Sequence, residues 1–163
     1  MTLYKRQIIK IFTDLEKLKD NGIWCDGIEK EGKYKKWHDN GRTLIDADYK
    51  DDQLNGKYKQ WYDNGQLRID ANYEDDKLDD QYKQWWESGR LYIDANYKEG
   101  KLSGNYKQWY MTGQLKIDAN FNNGKLNGEY KEWWENGQLH IDAEYNNRGI
   151  IYYHQYNKKG NKI

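Results

Sequence analysis

Between about Gly32 and Tyr152, polar and apolar residues change places in the same order five times, at an interval of 24 residues. In one copy Leu67, Ile69, Ala71 and Tyr73 alternate with Gln66, Arg68, Asp70 and Asn72, the period-two signature of a half-buried strand. The aromatic-rich stretch from Tyr58 to Tyr62 reads as a second strand, and Asp63-Asn64-Gly65 between the two makes each copy a hairpin. A two-residue turn with both residues at positive φ would strain Ser88 and Thr112, which stand where other copies have Asn40, Asn64 and Asn136. A type I turn closed by a glycine bulge demands the left-handed region only of Gly41, Gly65, Gly89, Gly113 and Gly137, so it fits every copy. It pairs Tyr62 with Gln66 and sets Trp61 opposite Leu67.

Continuing this register places Trp61, Leu67, Ile69, Ala71 and Tyr73 on a core face. Tyr58, Tyr62, Arg68, Asp70 and Asn72 then share the other face, with Asp70 opposite Tyr58. The second connection, Asp75-Asp76, reads as a tight hairpin turn that brings Leu78 opposite Tyr73. Restoring the alternation then requires a bulge at Gly56, Asp80, Gly104 and Gly128. The expected fold is mainly β: an elongated single-layer antiparallel β-meander of stacked 24-residue hairpin repeats with an N-terminal capping α-helix. Residues 1–32 supply the helical cap and lead-in, because Ile8, Ile11, Phe12, Leu15 and Leu18 recur at helical spacing before Asn21-Gly22. Residues 33–152 hold the five repeats, and residues 153–163, with Tyr153, Tyr156 and Gly160, form a degenerate C-terminal partial repeat.

The unit Gly-x-Tyr-Lys-x-Trp-x-x-x-Gly-x-Leu-x-Ile-Asp-Ala-x-Tyr, complete from Gly104 to Phe121 except for the final Phe, resembles the bacterial variant of the MORN repeat. The likeness rests on the aromatic pair, the Asn-Gly turn and the Gly-Lys-Leu turn recurring in register. Asp79-Asp80 departs from the usual Asn/Ser-Gly. The resemblance implies an extended hairpin sheet without enzymatic activity of its own. Bacterial members are often labelled antitoxin components, and other MORN arrays serve as protein scaffolds or have been suggested to meet membranes.

Composition changes the picture in two ways. Leu, Ile and Phe together make up only about a sixth of the 163 residues and Val is absent, which alone would suggest disorder. The chain is nevertheless formally neutral and carries 16 Tyr and 8 Trp, whose large surfaces replace aliphatic burial. Neutrality also removes the long-range attraction behind non-specific binding to nucleic acid or anionic membrane, so neither partner is favoured. The lone Cys25 allows no intramolecular disulfide, and Lys10 and Asp14 interrupt the N-terminal apolar residues, so a cytoplasmic location is expected. No stretch approaches the 18 apolar residues of a transmembrane helix.

Two charged ladders look like chemistry. Asp46, Asp70, Asp94, Asp118 and Asp142 are expected about 10 Å apart, too far to share a metal ion, and a repeated hydrogen bond from Tyr58 and its copies explains them. Lys35, Lys59, Lys83, Lys107 and Lys131 could track a phosphate backbone, but acidic residues are interspersed throughout. His38, His140 and His154 are scattered, Cys25 has no base partner, and every recurrent glycine is accounted for by a turn or bulge; no cofactor or metal is expected. The best candidates for recognition are the aromatic column His38, Tyr62, Trp86, Tyr110 and Trp134 with its neighbours Arg68, Tyr92, Lys116 and His140. These residues point to a non-catalytic module that binds a partner protein such as a toxin, an effector or a defence nuclease. It would act as an antitoxin, immunity protein or phage-type inhibitor of the anti-CRISPR kind. Single-stranded nucleic-acid binding and peripheral membrane scaffolding are the alternatives.

Overall fold

The computed structural model describes residues 31–163; the expected N-terminal helix and Cys25 lie outside them. Eleven strands follow one another in a single antiparallel meander: β1 Gly32–Trp37, β2 Thr43–Lys50, β3 Gln53–Trp61, β4 Leu67–Glu74, β5 Lys77–Trp85, β6 Leu91–Lys98, β7 Lys101–Trp109, β8 Leu115–Asn122, β9 Lys125–Trp133, β10 Leu139–Asn146 and β11 Gly149–Gln155. At the usual strand spacing the sheet extends about 48 Å across its strands.

Both connections obey the turn chemistry of their residues. In the three-residue loop the Tyr62 amide donates to the Gln66 carbonyl, the Gly65 amide donates to Tyr62, and Gly65 sits at φ 89°. In the two-residue loop Asp75 and Asp76 both take positive φ, 46° and 62°, the geometry whose twist suits a tight hairpin. Leu78 faces Tyr73, and Gly56 at φ 115° is one of the expected bulges.

The strand beyond each three-residue loop carries an additional irregularity that the local alternation does not announce. Trp61 pairs with Leu67, but the next rung pairs Gln60 with Ile69, which leaves Arg68 as an extra residue; Leu44, Tyr92, Lys116 and His140 are extra in the other copies. One extra residue shifts every later pair. Tyr58 therefore lies opposite Ala71, and Lys59 opposite Asp70. This corrects both the expected pairing of Asp70 with Tyr58 and the expected division of the faces. Tyr58 joins Ile69, Ala71 and Tyr73, whereas Trp61, two residues from Lys59, belongs with its partner Leu67 to the charged face.

The core is a line rather than a volume. Ala47, Ala71, Ala95, Ala119 and Ala143 are the buried apolar residues of the described chain, each at most 1% exposed. Each interior alanine sits between tyrosines on both neighbouring strands, as Ala71 does between Tyr58 and Tyr82. The small side chain leaves room for two rings to close over it.

Candidate functional site

The row Tyr34, Ala47, Tyr58, Ala71, Tyr82, Ala95, Tyr106, Ala119, Tyr130, Ala143 and Tyr153 crosses the whole sheet on one face. A second aromatic row, Tyr49, Tyr73, Tyr97, Phe121 and Tyr145, runs beside it. Each ring of the second row meets one of the first edge to face, with centroids 5.6–6.2 Å apart. Together they pave one face with half-buried rings, and no second layer covers it among the described residues.

Burial raises the hydroxyl pKa of Tyr58, Tyr73, Tyr97 and Tyr106 and pushes that of Tyr82 up to about 12, so these phenols are neutral donors at physiological pH. Tyr130 is raised further by burial and then by its 3.0 Å hydrogen bond to Glu132. Tyr82 donates to Gln84 at 3.1 Å, but the hydroxyls of Tyr58, Tyr73, Tyr97 and Tyr106 bond to no other described residue.

At the three-residue-loop end of this face lie the residues singled out from the sequence, gathered in pairs. Arg68 stands over the Tyr62 ring and Lys116 over the Tyr110 ring, each 5.5 Å from the centroid. Tyr92 stacks on Trp86 at 4.1 Å, and His140 on Trp134 at 3.7 Å. The bulge sets the second member of each pair on the tyrosine face: the Gln108 amide donates to the Tyr92 hydroxyl, and His140 Nδ1 lies 3.3 Å from Glu132, off the hydrogen-bonding direction. His38 has Leu44 at the bulge and no ring partner there; its Nε2 contacts the Trp61 carbonyl at 3.0 Å.

The column is also structural. Tyr62 and Tyr110 donate their hydroxyls to the carbonyls of Trp85 and Trp133 in the next hairpin, and Trp134 Nε1 donates to Tyr156. Trp86 Nε1 occupies the equivalent place and is buried without an acceptor. The loops are bridged too, by the Asn40, Asn64 and Asn136 amides to Asp63, Glu87 and Lys158, and by the Arg90 guanidinium to Met111 where Ser88 replaces Asn. Thr112 makes no such bridge among the described residues, and at this joint a groove of about 520 Å³ opens between Tyr110, Trp134, Glu135, Asn136 and Lys158.

The opposite face merges the two charged ladders into one. Lys35–Asp46, Lys59–Asp70, Lys83–Asp94 and Lys107–Asp118 are ion pairs of 3.2, 2.8, 3.6 and 2.8 Å. The bond expected from Tyr58 and its copies to the aspartates does not form at Tyr58, Tyr82, Tyr106 or Tyr130, which lie opposite alanines; at the last hairpin a different tyrosine, Tyr152, donates to Asp142 at 3.2 Å. Lysines neutralised in this way make a poor phosphate track. Among the described residues no three His, Cys, Asp or Glu side chains converge as a metal site.

The sequence reading missed the two tyrosine rows as a surface, because it assigned Tyr58 and Tyr73 to opposite faces. The signal that could have joined them is the alanine present in every copy, which asks for large neighbours on both sides.

The family model described as the MORN repeat variant matches residues 54–75, 102–123 and 126–147. These three segments are similar to repeats that commonly mediate protein or membrane interactions and form non-catalytic modules. No curated protein matches the chain.

Proposed function

We propose that this chain is a non-catalytic module that holds a partner protein against its tyrosine face. The observation that carries the reading is a continuous pavement of ring-locked tyrosines whose hydroxyls at Tyr58, Tyr73, Tyr97 and Tyr106 bond to no other described residue. Such side chains offer large rigid contact area with a hydrogen bond at the tip, and they lose little conformational freedom on binding. Arg68, Lys116 and the groove beside Trp134 add charge and relief at one end of the face. The narrower role, neutralising a toxin, effector or nuclease in the cytoplasm, rests on the sequence resemblance and the single cysteine alone.

Purification of the tagged chain from its native cells, followed by mass spectrometry, should recover one protein in stoichiometric amount. Titration with fluorescent single-stranded oligonucleotides and flotation with anionic vesicles should both be negative. Salt-sensitive oligonucleotide binding, or flotation without any recovered protein, would overturn the reading.

A further inference from the structure

Four of the five two-residue turns share one geometry, and the fifth departs from it. Asp51-Asp52, Asp75-Asp76, Glu99-Gly100 and Asn123-Gly124 take positive φ at both positions. In the fifth, Asn147-Arg148, neither residue does, and the positive φ falls on Gly149, at 125°. Arginine resists the left-handed region that the shared geometry would ask of it. The bonding changes with the turn. The amides of Asp76, Gly100 and Gly124 donate to the carbonyls of Leu54, Leu78 and Leu102 in the preceding hairpin, whereas the Arg148 amide donates to Asn146 Oδ1 at 2.8 Å. Just beyond, β11 takes in an extra residue, Ile151, between the pairs Tyr145–Ile150 and Glu144–Tyr152.

Between the fourth and fifth turns lies a groove of about 600 Å³. Leu126 and Tyr145 form its apolar side, and both belong to the tyrosine face, Leu126 through its partner Phe121. Its polar side carries Lys125 and Arg148, which are exposed and form no ion pair among the described residues. The asparagines there are turned to donate. Asn146 Oδ1 is occupied by the Arg148 amide and Asn147 Oδ1 by the Asn127 side chain at 2.7 Å, so both side-chain NH2 groups are left over. No acidic residue lines the groove, although each of the first three turns carries at least one carboxylate.

We propose that this groove receives a carboxylate side chain of the partner protein, an aspartate or glutamate at the margin of its contact; the inference rests on the reading of the tyrosine face as a protein-binding surface. Two unpaired cations and two free side-chain amides complement an anion, and charge-assisted bonds to them are stronger than neutral ones. The backbone amide of Arg148 is already bonded to Asn146, so the turn offers no nest of backbone N–H groups of the kind that cradles phosphate. What remains is a guanidinium fork with side-chain amides beside it, which matches a planar carboxylate. Leu126 and Tyr145 give the methylenes of such a side chain an apolar wall. Both cations are exposed and screened by salt, so the groove alone binds weakly and sharpens a contact whose area lies on the rings.

The test is an NMR titration of the full chain with glutarate and, separately, with inorganic phosphate, at constant ionic strength. It needs no partner, so its failure leaves the reading of the tyrosine face standing, and loss of that reading leaves the titration unaffected. Glutarate should shift the Asn146, Asn147 and Arg148 signals saturably, with a Kd of roughly 1–50 mM. Lys125→Gln with Arg148→Gln should raise that Kd at least about fivefold, with the spectrum of β3 to β6 unchanged. Lys50→Gln with Lys77→Gln removes the same charge at the acidic end of the same rim and should leave the Kd within about twofold. Shifts that grow linearly without saturating would overturn the proposal, as would a Lys125 and Arg148 double variant that binds glutarate as well as the native chain. Tighter binding of phosphate than of glutarate would overturn the carboxylate assignment.

Discussion

The two faces of the sheet are built on the same strands, yet they are held by different physics. On one, rings close over alanines that are almost completely buried, and neighbouring rows touch edge to face. On the other, lysine and aspartate alternate from strand to strand, partly exposed and in ion pairs of 2.8–3.6 Å. Exposed pairs of this kind contribute little each, about 0.2–1 kcal/mol, so the ladder fixes register more than it adds stability. The difference teaches that a single-layer repeat can assign cohesion to one face and alignment to the other. In the proposed function the cohesive face is also the one that meets the partner.

The comparison can be broken most forcefully at an alanine. Ala95→Leu must push apart Tyr82 and Tyr106, and it should cost about 1–3 kcal/mol in urea unfolding. Asp94→Asn, one residue away on the other face, should cost less than about 1 kcal/mol. Alkaline pH should also separate the faces. Burial raises the folded-state pKa of the tyrosines, Tyr82 to about 12, above the unfolded value near 10. The unfolded chain therefore ionises first; stability is complete below about pH 10 and is lost as pH rises toward 12. Urea midpoints followed alongside phenolate absorbance should fall over that window. A smaller effect is expected from Lys83→Asp, which lines up three carboxylates with Asp70 and Asp94. It should cost about 0.5–1 kcal/mol at low salt and less in 1 M salt. The smallest is Asp80→Gly. Asp80 faces Tyr97 at φ 71°, where the other copies have glycine, so glycine should stabilise by up to about 1 kcal/mol in the same assay.

What could be read from the sequence follows the range of the interactions. The strands, both turn types, the pairing of Trp61 with Leu67 and the bulge at Gly56 all follow from residues within a few positions of one another, and the structure has them. The extra residue at Arg68 follows from no local rule, since Leu67, Ile69 and Ala71 alternate whether or not the opposite strand slips by one. It is decided across the sheet, where slipping exchanges a tyrosine for a lysine opposite Asp70 and gives Tyr58 the space above Ala71. For the same reason it was legible that Arg68, Tyr92, Lys116 and His140 share a face with the column at Tyr62, Trp86, Tyr110 and Trp134, while it was not legible that Ile69, Ala71 and Tyr73 lie on that face too and Asp70 on the other. A lysine and an aspartate in every copy were the available hint that the two ladders are one.

The most direct test of the tyrosine face as the binding surface is the affinity of the recovered partner for two surface variants of matched charge change. Arg68→Glu with Lys116→Glu alters the tyrosine face; Lys35→Glu with Lys57→Glu alters the charged face. Measured by calorimetry, the first pair should weaken binding at least about tenfold and the second should leave it within about twofold. The reverse order, with the charged-face pair losing the partner and the tyrosine-face pair keeping it, would contradict the account.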